Sequence, residues 1–202
     1  MNKLCLKMRR VALLLFAAVL ALGTVACSSG PNDEQVIRTT IDNTFASYKD
    51  PSSLDVNQVI DAEVQDVLGE SGIEAKEFLS HSFMYLAYTV DDVTVDGNAA
   101  QVKMTISNVN IDEAMSKALE EFDTWTNKGD DALKVYQESG DQGLYRHLFD
   151  NFYQQIDEMS SKPVSTEVTV LMEKKEDGSW DMTSEGNDAF YKALYGCDQL
   201  SF

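Results

Sequence analysis

The sequence predicts an α+β domain, and three observations carry that prediction. Two hairpin signals, "VDGNA" at Val95–Ala99 and "KKEDGSW" at Lys174–Trp180, are flanked by runs that alternate apolar and polar residues. Between them, over about residues 111–161, apolar residues recur at helical spacing, and the same spacing opens the chain after residue 33. The expected architecture is a curved antiparallel sheet of about four strands, in two hairpins, packed against N-terminal helices and a helical insertion. A signal-peptide helix is expected ahead of it.

The leader is read from charge and length. Lys3, Lys7, Arg9 and Arg10 precede an apolar run from Val11 to Leu22. A basic n-region followed by such an h-region is an export signal, and the stretch falls short of the roughly 20 residues a membrane span needs. Gly23, Thr24, Val25 and Ala26 then lead into Cys27. This arrangement resembles a bacterial lipobox, with small Ala26 before the cysteine and Thr24 where leucine is more usual. The resemblance implies cleavage after Ala26 and a thioether from Cys27 to diacylglycerol, with a further acyl chain on the freed amino group; two or three chains anchor stably where one is marginal. The other reading of Cys27 is a small apolar residue closing an ordinary signal. Residues 1–26 are thus expected as signal peptide, 27–32 as lipidated cysteine and polar tether, and 33–202 as one domain.

Within that domain, Asn32 and Asp33 can cap a helix whose Val36, Ile37, Ile41, Phe45 and Tyr48 share a face, and "KDPSS" stops it. Val56, Val59, Ile60, Val64, Val67 and Leu68 mark a second helix ended by "GESG", and "IEAKEFLSH" a short third. The first β run contains a slip of phase. Tyr88 and Val90 share one parity and Val93 and Val95 the other, so a bulge near Asp91 and Asp92 is expected to bring both sets onto the core face. The second run alternates strictly, with Ala100, Val102, Met104 and Ile106 against Gln101, Lys103, Thr105 and Ser107.

In the insertion, Asn110 and Glu113 resemble a capping box. Ile111, Ala114, Met115, Ala118, Leu119, Phe122 and Trp125 follow on one helical face. The pattern breaks and restarts through "NKGDDALKVYQESGDQG", and Tyr145, Leu148, Phe149, Phe152, Ile156 and Met159 form a further stripe. After Pro163, Val164, Val168, Val170 and Met172 line one side of a strand, Trp180 and Met182 begin a last short one, and "NDAFYKALYG" closes as a helix. At "YTVDDVTVDGNAAQVKMTISNVNIDEA" and "STEVTVLMEKKEDGSWDMTSEG" the chain resembles uncharacterised bacterial lipoproteins with a nuclear-transport-factor-like or cystatin-like α+β domain. That resemblance implies a sheet wrapped on helices, often as a cone with an open mouth. It brings no catalytic motif with it.

All 34 acidic residues follow Cys27, against 12 of the 16 basic ones, so the mature part carries a formal charge of −22. Nucleic acid, which is held by clustered Lys and Arg, is an unexpected partner. The chain lacks G-x-S-x-G, S-x-x-K, H-E-x-x-H and a Gly-rich phosphate loop. His147, with Asp150 three residues on, and His81 are the candidate general bases of a pocket; either is otherwise a structural histidine. Asp91 with Asp92, and Asp130 with Asp131, could meet a cation or simply be solvated. Tyr85, Tyr88, Trp125, Tyr145, Phe149, Phe152 and Tyr153 could line an apolar pocket or belong to the core. Cys197, the remaining cysteine of the mature chain, is expected to be buried. No catalytic residue, cofactor or metal ligand is assigned. The expected role is a membrane-tethered extracytoplasmic binding or interaction domain, whose partner is a protein, an envelope component or a small ligand. The alternative is a small pocket enzyme using His147 or a buried carboxylate as general base.

Overall fold

The computed structural model describes residues 32–50, 56, 62–183 and 185–197. The expected signal peptide, Cys27 and the apolar positions Val59 and Ile60 lie outside them. The elements run α1 (Asp33–Lys49), α2 (Ala62–Glu70), α3 (Ala75–Phe83), β1 (Ala87–Asp96), β2 (Ala99–Asn108), α4 (Ile111–Lys128), α5 (Asp130–Met159), β3 (Val164–Lys174), β4 (Trp180–Met182) and α6 (Asp188–Leu194). The four strands form one antiparallel sheet in the order β1-β2-β3-β4. It is the expected α+β arrangement of two hairpins and packed helices, with the α4–α5 helical hairpin in the β2–β3 connection.

Local chemistry accounts for the elements. Asn32 caps α1, its side chain accepting from the Gln35 amide at 2.9 Å, and Ile37, Ile41, Phe45 and Tyr48 are the buried stripe. Asn110 caps α4 in the same way, accepting from the Glu113 amide at 2.9 Å. The reciprocal half of a capping box does not form, because the Glu113 carboxylate reaches Lys117 at 2.8 Å instead. The helical insertion breaks twice, at Gly129 and at Gly140 inside α5, both with positive φ. Leaving the right-handed helical region there suits glycine, which lacks the Cβ that would clash.

The bulge lies where the phase slip requires. Val90 pairs with Met104 and Asp92 with Lys103, so Asp91 is the extra residue. Tyr88, Val90 and Val93 consequently all turn toward the core, opposite Ile106, Met104 and Val102. Val95 shares their face but remains exposed; it sits one pair from the hairpin turn. Helix α1 seals the bulge: the Arg38 guanidinium donates to the Val90 carbonyl at 3.2 Å, and the Tyr88 hydroxyl donates to Asp42 at 2.6 Å.

Two buried asparagines tie the C-terminal helix α6 across the inner face of the sheet. Asn187, just ahead of it, accepts from the Leu171 amide at 2.8 Å and donates to the Leu171 carbonyl at 3.1 Å. It thereby serves as a strand partner where the three-residue β4 has ended. Asn108, at the far end of β2, donates to both the Leu194 carbonyl at 2.7 Å and the Ser82 carbonyl at 3.0 Å, and accepts from the Val109 amide at 2.8 Å. Next to it the Ile111 amide donates to the Tyr195 carbonyl at 3.0 Å. Gly196 passes so close that a Cβ there would stand 2.4 Å from the Val109 carbonyl oxygen.

The core is one cluster spanning α1, α3, the sheet, the insertion and α6, with Trp180, Phe45, Phe83, Phe149, Phe152 and Phe190 its largest fully buried side chains. Each such ring contributes on the order of 1.5–3 kcal/mol by leaving water. Asn108→Ala should cost about 2–4 kcal/mol in urea denaturation, because it strands two buried carbonyls and an amide. Asn108→Asp, similar in shape but lacking both donors, should be no better; a mild Asp variant would show that packing rather than hydrogen bonding holds this joint.

Candidate functional site

Titratable side chains gather over a buried face at the seam between α3 and α5. The two helices run in parallel there. Glu77 and His81 lie one turn apart on α3, opposite Arg146 and Tyr153 on α5, two turns apart. Arg146 bridges to the Glu77 carboxylate and to the Gly72 carbonyl, each at 2.6 Å. One turn on, the His81 and Tyr153 rings stack at 3.8 Å with 10° between planes, and beyond them the Tyr85 hydroxyl donates to Asp157 at 3.0 Å. Phe78, Phe149 and Phe152 form the apolar floor.

Two polar atoms in this seam are buried without a hydrogen-bond partner, His81 Nδ1 and the Tyr153 hydroxyl. Burial raises the Tyr153 phenol far above its ordinary range, the Glu77 carboxylate adds to the rise and the Arg146 guanidinium opposes it. Tyr153 therefore stays a neutral donor and supplies no base at physiological pH. Glu77 is held by Arg146, so the seam sets an ion pair and a buried phenol over the apolar floor.

His147 lies elsewhere. Its ring stacks on Trp125 at 3.9 Å, and the group within reach of its Nε2 is the Asn151 amide at 3.5 Å. Asp150 is exposed and directly precedes Asn151, so the helix turns it to another face, and it is Asn151, one turn on from His147, that meets the imidazole. Trp125 belongs with Lys117, Glu120, Glu121, Thr124 and Lys128 to an open depression whose lining comes from α4 throughout. One helix face cannot enclose a ligand. On the helix-packed side of the sheet, the void among α1, β3, β4 and α6 measures about 10 Å³, at the threshold for one water. Side chains of Phe45, Met172 and Phe190 fill the place where a cone would open. The deep cavity around His147 that a pocket enzyme would need is not what these residues build.

The other sequence candidates are equally placed. Asp91, at the bulge, accepts from the Thr105 and Thr89 hydroxyls at 3.1 and 3.4 Å, and Asp92 accepts from Thr94 at 3.2 Å while facing Lys103 across the ladder. Both acids are exposed on the outer face. Asp131 pairs with Lys134 at 3.2 Å in the first turn of α5. Among the described residues no three His, Cys, Asp or Glu side chains are disposed to hold a metal. The aromatic candidates divide: Phe149, Phe152 and Tyr153 are core, Tyr88 stacks on Phe45 at 3.9 Å, and Tyr85 is exposed. Burial and the Asp42 contact push the Tyr88 phenol up to about 12. Cys197 is buried as expected, its thiol directed at the Lys192 carbonyl at 3.6 Å.

A second polar contact, not anticipated from sequence, secures the start of the domain. Asp33 Oδ1 accepts from Lys174 Nζ at 2.7 Å and from the indole of buried Trp180 at 3.1 Å. Lys174 also lies 5.8 Å from the Trp180 ring centre.

No protein-family model matches the chain, and no curated protein is significantly similar to it. It is similar to a solved structure, the "putative lipoprotein (ycdA)" of Bacillus subtilis subsp. subtilis str. 168. The two share 14% identity with a TM-score of 0.40, over 83% of this chain and 48% of that one. This chain therefore spans about half the length of that protein. At this degree of superposition the likeness assigns neither a ligand nor an activity.

His81→Phe preserves the stack on Tyr153 and removes the unpaired Nδ1. It should leave stability unchanged or raise it by about 1 kcal/mol in urea denaturation; a clear loss would mean that the imidazole makes a hydrogen bond worth more than its burial. Asp33 is held below the ordinary carboxylate range by its hydrogen bonds from Lys174 and Trp180. A depressed folded-state value stabilises above the unfolded value near 4 and is lost as pH falls through the folded one. The melting-temperature gap between wild type and Asp33→Asn should therefore be present near neutral pH and shrink as the pH falls below the ordinary carboxylate value of about 4.

Proposed function

We propose that this protein is a membrane-tethered extracytoplasmic lipoprotein whose folded domain works by binding a partner rather than by turnover. One observation carries the tethering: Cys27 directly follows Ala26 at the end of a basic and then apolar leader. Thioether formation is a reaction of the thiol, which explains a cysteine at that place.

The binding role draws on the side chains of the domain. Both histidines are spent as stacking partners, His81 on Tyr153 and His147 on Trp125. The inner face of the sheet is packed with Phe45, Met172 and Phe190. What the domain offers a partner is its surface: a strongly acidic exterior, a polar outer sheet face, and exposed Leu133 and Tyr136 on the first part of α5. Leu133 and Tyr136 are three residues apart and so share a helix face. A protein or envelope component fits these features better than a small molecule, which wants a concave site.

Cys27→Ala should leave the chain as unprocessed precursor or release it from the membrane fraction, read by fractionation and by the mass of the N-terminal fragment. A variant that is processed and retained like the wild type would remove the lipid from this reading. Native mass spectrometry of the protein after exposure to an envelope extract should show no retained small-molecule adduct; a stoichiometric one would move the role toward a pocket.

A further inference from the structure

If Cys27 carries lipid, the fold determines which end of the domain faces the bilayer. Asn32 stands five residues after Cys27. A chain spans at most about 3.6 Å per residue, so Asn32 stays within about 18 Å of the anchored cysteine. Asn32 is itself fixed to the domain as the cap of α1, and Asp33 is fixed by Lys174 and Trp180.

These contacts place the start of α1 at one particular end of the sheet. Lys174 closes β3 and Trp180 opens β4, so Asp33 lies at the β3–β4 turn. The Lys174 amide donates to the Asn98 carbonyl at 2.9 Å, which brings the β1–β2 turn to the same end. From there β2 and β3 pair without interruption from Ala99–Glu173 to Asn108–Val164. At about 3.4 Å per residue that ladder is roughly 30 Å long. The insertion leaves and re-enters the sheet at its far end, through Ile111 after β2 and Met159 before β3.

We infer that the two hairpin turns and the start of α1 form the membrane-facing end of this domain, with the roots of the α4–α5 hairpin held on the side away from the bilayer. This inference rests on the tethering proposed above and adds the orientation to it. The facing end is acidic on balance: Lys174 and Lys175 are outnumbered by Asp33, Glu34, Asp96, Glu173, Glu176 and Asp177, and Lys175 is paired with Glu173. Anionic headgroups repel it beyond a Debye length of about 8 Å only weakly and within that length strongly. The domain accordingly stands off the surface on its tether. Orientation follows from tether length and not from adsorption.

The test uses the full chain, acylated in a bacterial host and reconstituted into phosphatidylcholine–phosphatidylglycerol vesicles that carry a headgroup energy-transfer acceptor. A donor is attached through Glu176→Cys at the β3–β4 turn or Lys162→Cys before β3, both exposed positions; buried Cys197 is controlled by labelling the parent chain. Co-flotation with the vesicles is scored first, and its failure overturns the tethering and the orientation with it. In samples that float, transfer should be several-fold greater from position 176 than from position 162. Equal or reversed transfer overturns the orientation while leaving the tether intact. Inserting about ten Gly and Ser residues after Ser29 should lower transfer from position 176; an unchanged value would mean that the domain adsorbs by a face of its own, which also overturns the inference.

Discussion

The fold depends most on a single buried side chain. Asn108 ends β2 fully enclosed, and its amide joins three segments that are remote in sequence: its partners Ser82 and Leu194 are 26 and 86 residues away. An unpaired buried carbonyl costs on the order of 1–3 kcal/mol, so the three hydrogen bonds matter more for what they prevent than for their net strength. Through this joint the end of α3, the exit from the sheet into α4 and the end of α6 share one set of coordinates. The Ile111 amide on the Tyr195 carbonyl and the close passage of Gly196 over Val109 belong to the same junction.

The two ends of the sheet are held by different polar contacts. At the Asn108 end, the polar joint supports the helical insertion and the α3–α5 seam, where Glu77, Arg146, His81 and Tyr153 gather. At the other end, Asp33, Lys174 and Trp180 fasten the point from which the chain leads back to Cys27. The sheet keeps these ends about 30 Å apart. Its inner face is packed against α1 and α6, with Phe45 and Phe190 among the side chains that fill it.

Much of this fold was legible in the sequence because its information is local. The slip of phase between Val90 and Val93 located the bulge, since a strand has a period of two and cannot bury both sets otherwise. Asn32 and Asn110 announced two helix starts, and the glycines at 129 and 140 lie in the stretch where the helical pattern broke and restarted. The candidate site was far less legible. His147 drew notice because Asp150 lies nearby in sequence, yet on the helix its ring turns toward Trp125 and Asn151. Glu77 with Arg146 and His81 with Tyr153 are each about seventy residues apart. The one available signal was that polar residues interrupt apolar stripes on both helices, and that signal names no partner.

By itself the sequence determined the order of elements, the two hairpins, the bulge and the acidic character of the domain. All of these follow from period, turn chemistry, capping and charge, which act over a few residues. Only the tertiary structure decided that Asn108 and Asn187 are interior, that the inner face of the sheet is filled, and that the start of α1 belongs to the hairpin-turn end of the sheet. Those outcomes require groups far apart in the chain to meet at hydrogen-bonding distance, and the energies that select such a meeting exist only once the core has closed around them.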